Sequence, residues 1–177
     1  MISTKEELKN VIELEKKGYG RNSLIRRYLR ELRICEYYKN CVGGGGRTRL
    51  LFKLHNFYRN RLGLRLGFEI PLNVFGKGLH IFHTGNIIIN GTSSVGEYCN
   101  IIGSTCLGSK NGGNGPTLGD HCELGMNSVV IGNVQIGNNV YIGAGAVVTK
   151  SFEQNGVSLA GVPAKIVASR KDSKKAD

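Results

Sequence analysis

Aliphatic residues stand at Val95, Ile101, Leu107, Leu118, Leu124, Val130, Ile136, Ile142 and Val148, six residues apart at every step except the one from Leu107 to Leu118. An interval of six fits neither the 3.6-residue period of an amphipathic helix nor the alternation of a half-buried strand, so it marks an internal repeat. Glycine often follows the aliphatic residue, at Gly96, Gly108, Gly119, Gly125, Gly137 and Gly143. The fourth residue after it is small or apolar, at Cys99, Thr105, Cys122, Ser128, Val134, Val140 and Ala146. Each unit reads as a short strand with one inward aliphatic side chain, then a tight turn where glycine or asparagine tolerates positive φ. Three units close a triangular coil, and coils stacked about 4.8 Å apart bury a continuous aliphatic column. The pattern predicts a mainly β protein built on a parallel β-helix; a glycine-rich sandwich would alternate with period two instead.

The region before the repeat has a helical pattern. Thr4-Lys5-Glu6-Glu7 has the form of a capping box, and Leu8, Val11, Ile12 and Leu14 follow at helical spacing to a stop near Gly18 and Gly20. A second helix puts Leu24, Ile25, Tyr28, Leu29, Leu32 and Cys35 on one side and Arg26, Arg27, Arg30 and Arg33 on the other. It stops before Gly43 to Gly46, a flexible joint or a turn held by its neighbours. Residues 50–66 (LLFKLHNFYRNRLGLRL) predict a third helix, aromatic and basic. From Phe68 the strands begin, with an irregular first coil and about four to five coils up to Ser151. The organisation expected is a basic helical region over 1–67, a β-helix over 68–167 and a polar, disordered tail over 168–177.

Charge sharpens that division. Up to Leu66 there are 16 Lys and Arg against 6 Asp and Glu, a net +10; the rest holds 8 against 7, a net +1, and the two sum to +11. Nucleic acid, an anionic membrane surface, an acidic ligand such as a CoA phosphate or nucleotide sugar, or a plain solvated face would each account for the basic helices. The start is charged and nothing reaches the length of an apolar span, so a cytoplasmic protein is expected, with contact at the inner membrane face as the membrane alternative. Five cysteines, odd in number and without paired zinc spacing, suit reduced thiols, and Cys99 and Cys122 fall on the inward repeat position.

The break between Leu107 and Leu118 inserts five extra residues, which must leave the prism as an exposed loop holding Asn111 and Asn114, polar candidates for acceptor contact. Of the four histidines, His55 reads as packed or superficial and His121 as exposed in a turn, whereas His83 stands with Thr84-Gly85 on the first coil. Here the chain resembles a known family. The repeats are similar to the left-handed β-helix of the hexapeptide-repeat acyltransferases, and the hand comes from that resemblance alone. Residues 78–85 (GLHIFHTG) resemble the stretch of serine O-acetyltransferases that ends in the catalytic histidine, whose place His83 takes. Imidazole titrates near neutrality and can remove a hydroxyl proton during acyl transfer from a thioester. Glu69, with one residue deleted, matches the family's aspartate partner of that base.

Two departures bear on the acceptor. The residue before the histidine, an aspartate in serine acetyltransferases, is Phe82, and the second histidine of their long loop is replaced by Gly115 before Pro116. A charged amino acid lacking those partners would be held poorly. The resemblance therefore implies the related capsule and lipopolysaccharide group, which shares the basic aromatic region and the Ile70-Pro71 and Gly76-Lys77-Gly78-Leu79 lead-in and acetylates a sugar hydroxyl. Serine acetylation and a non-catalytic scaffold are the alternatives, and a zinc hydratase needs three suitably spaced histidines where only His80, His83 and His121 lie near the repeats. Residues 142–150 (IGAGAVVTK) and 160–165 (AGVPAK) look like the family's carboxy-terminal signatures. By that resemblance acetyl-CoA lies between neighbouring prisms of a homotrimer, with Gly125, Met126 and Ala144 along the pantetheine arm and Thr149, Lys150 and Lys165 at the phosphates. No metal and no nucleic acid are expected; a glycan or small acceptor, acetyl-CoA and weak membrane-surface contact are.

Overall fold

The structure is a computed structural model and describes residues 1–20, 23–41 and 45–170. Three helices precede the strands: α1 (Lys5–Glu15), α2 (Leu24–Asn40) and α3 (Gly46–Leu66). The capping box forms as expected, the Thr4 hydroxyl accepting from Glu7 N–H at 3.1 Å and the Glu7 carboxylate from Thr4 N–H at 3.1 Å. Ser23 caps α2, and α3 ends on Gly67 in the left-handed region, φ 77°. Residues 42–44, which include Gly43 and Gly44 of the expected glycine joint, and 171–177, most of the expected tail, lie outside the described residues; Gly45 and Gly46 instead precede and open α3, and 168–169 extend a strand.

Five coils follow. They comprise β1 (Phe68–Glu69), a bridge at Phe75 and β2 (His80–Ile81); β3 (Ile87–Ile89), β4 (Ser94–Val95) and β5 (Asn100–Ile101); β6 (Cys106–Gly108), β7 (Thr117–Leu118) and β8 (Glu123–Leu124). Then come β9 (Val129–Ile131), β10 (Gln135–Ile136) and β11 (Tyr141–Ile142), and last β12 (Val147–Val148), a bridge at Phe152 and β13 (Val157–Ala160), with β14 (Lys165–Ser169) antiparallel to β13. Strands of successive coils pair in parallel, making three flat faces: β1-β3-β6-β9-β12, then β4-β7-β10 with the two bridges, then β2-β5-β8-β11-β13. This is a parallel β-helix with amino-terminal helices, and its last coil runs past Ser151 to Ala160.

The repeat positions explain the core. All nine aliphatic residues of the six-residue series are buried, and so are all seven residues at the fourth position after them. The third position after the aliphatic takes the left-handed conformation at Tyr98, Ser104, His121, Asn127 and Asn139. Tyr98 and His121 pay that conformational cost in neighbouring coils, with their rings stacked at 5.0 Å.

One expectation for the helices fails. Arg33, placed above on the solvated side of α2, is 2% exposed. Its guanidinium bonds Glu15 (2.7 Å) and Glu36 (2.8 Å) and donates to the carbonyls of Phe75 (3.0 Å) and Gly76 (2.6 Å). Glu15 in turn accepts from the N–H groups of Gly78 and Leu79 at 3.0 and 3.1 Å. An open coil end presents unpaired backbone groups, and here a buried ion cluster satisfies them. Burial alone would lower the Arg33 pKa, but Glu15 and Glu36 raise it and keep the side chain charged. Tyr19 closes the same edge, accepting from Ile81 N–H and donating to Ile81 C=O, both at 2.7 Å; desolvation pushes its phenol up to about 12.

Candidate active site

The triangular cross-section has three corners, and the residues singled out by sequence fall at two of them, except Glu69, which stands on the first face. The first corner joins the third face to the first. The residue two places after the inward aliphatic of the third face stands there: His83 after Ile81, Gly103 after Ile101, Met126 after Leu124, Ala144 after Ile142 and Gly161 after Leu159. The residues form one column, a coil apart at about 4.8 Å, so His83 and Ala144 are separated by roughly 14 Å.

At the head of that column His83 is exposed, and its turn is tied to α3 by Gly85 N–H donating to Leu66 C=O at 3.0 Å. Gly103 packs closely below it. A Cβ there would lie 3.4 Å from the Cβ of His83 and 3.2 Å from both Sδ and Cε of Met126, so the absence of a side chain lets both residues lie against the Gly103 backbone. Sequence reasoning passed over Gly103, although aligning the second position after each aliphatic would have grouped it with His83, Met126 and Ala144. Gly125 has a packing reason: a Cβ would sit 2.7 Å from Ala144 N and Ile142 O of the next coil. Ala144 is exposed and Met126 half-buried. Lys165 is exposed at the foot of the column, paired with Ala160, while Ala164 N–H and Val147 N–H bond Val147 O and Gly161 O at 2.8 and 3.0 Å.

Glu69 stands beside Ile88 in β1, facing out from the first face, and with Arg59 and Asn86 lines an open groove of about 690 Å³ under α3. No hydrogen bond joins Glu69 to His83 among the described residues. What precedes His83 is aromatic: Phe82 is 48% exposed, its ring edge-on to His80 at 4.5 Å, and His80 stacks on Tyr19 at 4.5 Å. Burial between these two rings lowers the His80 pKa. His55 is packed, with Nδ1 2.6 Å from Glu31 and its ring on Tyr38, and His121 is engaged with Tyr98 at another corner. Among the described residues no three His, Cys, Asp or Glu side chains group so as to hold a metal ion.

The second corner joins the first face to the second. It carries the inserted loop, with Asn111 and Asn114 exposed, and two coils further on Thr149 and Lys150, also exposed, Lys150 Nζ lying 5.4 Å from the Phe152 ring centroid. The loop is pinned at its end by Gly115 N–H to Thr92 Oγ1 at 2.7 Å. Position 115 is buried, and a Cβ there would run into Ser93 and lie 3.2 Å from Asn90 Oδ1. The width of the first face thus separates His83, Met126, Ala144 and Lys165 from Asn111, Asn114, Thr149 and Lys150 in one chain.

With that geometry in view, the likenesses to other proteins can be stated. Residues 115–150 match the family described as bacterial transferase hexapeptide (six repeats). A serine acetyltransferase of Synechococcus elongatus is 36% identical over 108 residues, 59% of this chain and 44% of that protein. That of Escherichia coli K12 is 30% identical over 115 residues, 63% of this chain and 42% of its own. The chain therefore spans less than half the length of these relatives. Among solved structures, serine acetyltransferase from Brucella abortus superposes with a TM-score of 0.76 at 20% identity, covering 94% of this chain and 71% of that one. Its complex with coenzyme A gives 0.72 at 20% identity, covering 93% and 67%. The Neisseria gonorrhoeae enzyme in complex with serine gives 0.68 at 23%, covering 93% and 70%. These superpositions establish the shared fold.

Proposed function

We propose that this chain is an acetyl-CoA-dependent O-acetyltransferase in which His83 takes the proton of an acceptor hydroxyl as that oxygen attacks the thioester carbonyl. The CoA thiolate leaves and receives the proton back from the imidazolium, so the products are an acetyl ester and free CoA thiol. The observation that carries this reading is the first-corner column: an exposed imidazole at its head, a closely packed glycine at 103, then Met126 and Ala144 a coil apart. Small residues along such a rail let an extended amide chain approach the backbone closely. Lys165 at its foot is available to a phosphate. Thr149, Lys150, Asn111 and Asn114 join the same site only from an adjacent chain, which is the reason for proposing a homotrimer closed by heterologous contacts. Acetyl-CoA as donor puts the reaction in the cytoplasm.

For the acceptor, the similar proteins favour serine over the sugar hydroxyl expected from sequence, and serine is the first acceptor in this proposal. A sugar or glycan-precursor hydroxyl is the second reading, favoured by two observations. Phe82 puts an apolar wall where a carboxylate would hold an amine, and position 115 has no room for a side chain that would reach a carboxylate. Turnover of acetyl-CoA, followed by free thiol release with serine, nucleotide sugars and oligosaccharides in parallel, decides between them. Release stimulated by serine alone supports the first reading, release stimulated by a sugar the second, and neither turnover nor CoA binding overturns both. Since no bond ties Glu69 to His83, Glu69→Gln tests its orienting role: a lower kcat at unchanged KM supports it and an unchanged kcat removes it.

A further inference from the structure

The third helix has two apolar faces. One packs inward through Leu62, Gly63 and Leu66, all buried, with His55 against Glu31 of α2. The other, at intervals of three, four and seven, is Leu50, Leu54, Phe57 and Leu64, which are 58%, 57%, 69% and 88% exposed. An apolar stripe of this extent is unusual on a surface that only meets water. Arg61 interrupts it, Arg47 and Arg65 flank one side and Arg49 and Lys53 the other, and the 21-residue helix has no acidic residue.

We propose that this outer face of α3 docks flat on an anionic lipid surface, Leu50, Leu54, Phe57 and Leu64 entering the headgroup boundary and the flanking cations meeting lipid phosphates. The helix lies on the bilayer, because no helix among the described residues is long and apolar enough to cross a membrane. Charge complementarity selects lipid over a second copy of the face: two such helices packed on each other would oppose cations to cations with no carboxylate on either. A basic helix with exposed leucine and phenylalanine has the composition that binds at an interface, and each cation near an anionic leaflet adds to the attraction.

The test uses the full chain with vesicles of phosphatidylcholine alone and of phosphatidylcholine mixed with phosphatidylglycerol, read by co-sedimentation. Binding to the anionic vesicles should be at least about tenfold tighter than to neutral ones and should weaken with salt. The double variant Leu54→Glu/Phe57→Glu and the double variant Arg61→Glu/Arg65→Glu should each lower it about tenfold or more. These side chains are largely exposed, and an unchanged circular dichroism spectrum verifies that the variants fold. Equal binding to neutral and anionic vesicles, no binding to either, or binding that survives both variants overturns the proposal. Dissociation of an oligomer by Leu54→Glu/Phe57→Glu in a protein that ignores vesicles would assign the face to a second copy instead.

Discussion

The two corners of the prism that flank its first face are built from the same repeat and do opposite things with it. At the first corner every coil turns on a short or slender residue, Gly103, Met126, Ala144 and Gly161, so the edge below His83 is an uninterrupted ladder of backbone. At the second corner the third coil throws out a loop with five extra residues between Leu107 and Leu118, and the fifth coil presents an exposed threonine and lysine. A regular edge can align an extended ligand along several coils; an interrupted one can only touch it at points. In the proposed reading the first edge supplies the rail and the base, and loop contacts and further phosphate donors come from another copy.

The largest effect at the first corner should follow from adding a side chain at Gly103. Gly103→Ala puts a methyl group against both His83 Cβ and Met126 on a backbone, φ 157°, that side chains rarely adopt, and since displacing a reacting group by about 1 Å costs roughly 10²-fold, kcat/KM for acetyl-CoA should fall by that order. Steady-state kinetics with a thermal melt checks it, because a melt close to wild type separates a blocked site from a damaged coil. Gly125→Ala should act through packing, its Cβ meeting Ala144 N and Ile142 O, and should destabilise by about 1–3 kcal/mol in a denaturant titration. At the second corner, Lys150→Ala should raise the KM for acetyl-CoA by about tenfold, equivalent to ~1.4 kcal/mol, with kcat unchanged. If subunits share the site, mixing Lys150→Ala chains with His83→Ala chains should restore wild-type sites; additive loss with no recovery would return the second corner to a purely structural role.

The smallest effect concerns pH. Burial holds His80 below the usual histidine range, so the unfolded chain binds its proton first as pH falls. The stability this neutral ring contributes is complete above about pH 6.5 and is lost as pH falls from there towards the folded value. Melting temperature should therefore decline modestly on acidification through that window, and His80→Phe, which keeps an aromatic ring on Tyr19, should flatten the decline.

The β-helix was legible because two positions in six carry it: the inward aliphatic is buried in all nine repeats of the series and the residue four places later in seven, the exceptions being Asn111 in the inserted loop and the half-buried Phe152. The capping box of α1 was legible for the same local reason. Arg33 was not, since a helical pattern places it among arginines that face water, and nothing in a local pattern announces that Gly76 C=O and Gly78 N–H at an open coil end need charged partners. His83, Met126 and Ala144 fell together because the six-residue register fixes the corner each occupies. The pairing of Glu69 with His83 did not, because closeness in the chain and matching position say nothing of which way β1 presents its side chain, and Glu69 points out beside Ile88. The acceptor was hardest to read, since in the proposed site Phe82 and a loop from a neighbouring chain would meet it together.

The account stands or falls on His83. Acetyl-CoA turnover and CoA affinity measured on His83→Ala should give a rate about 10²–10⁴-fold lower with a dissociation constant within about twofold of wild type, since the ring acts on a proton and does not hold the donor. A rate within a few-fold of wild type, in a protein that still binds CoA, would contradict the assignment of this corner as the reacting end of the molecule.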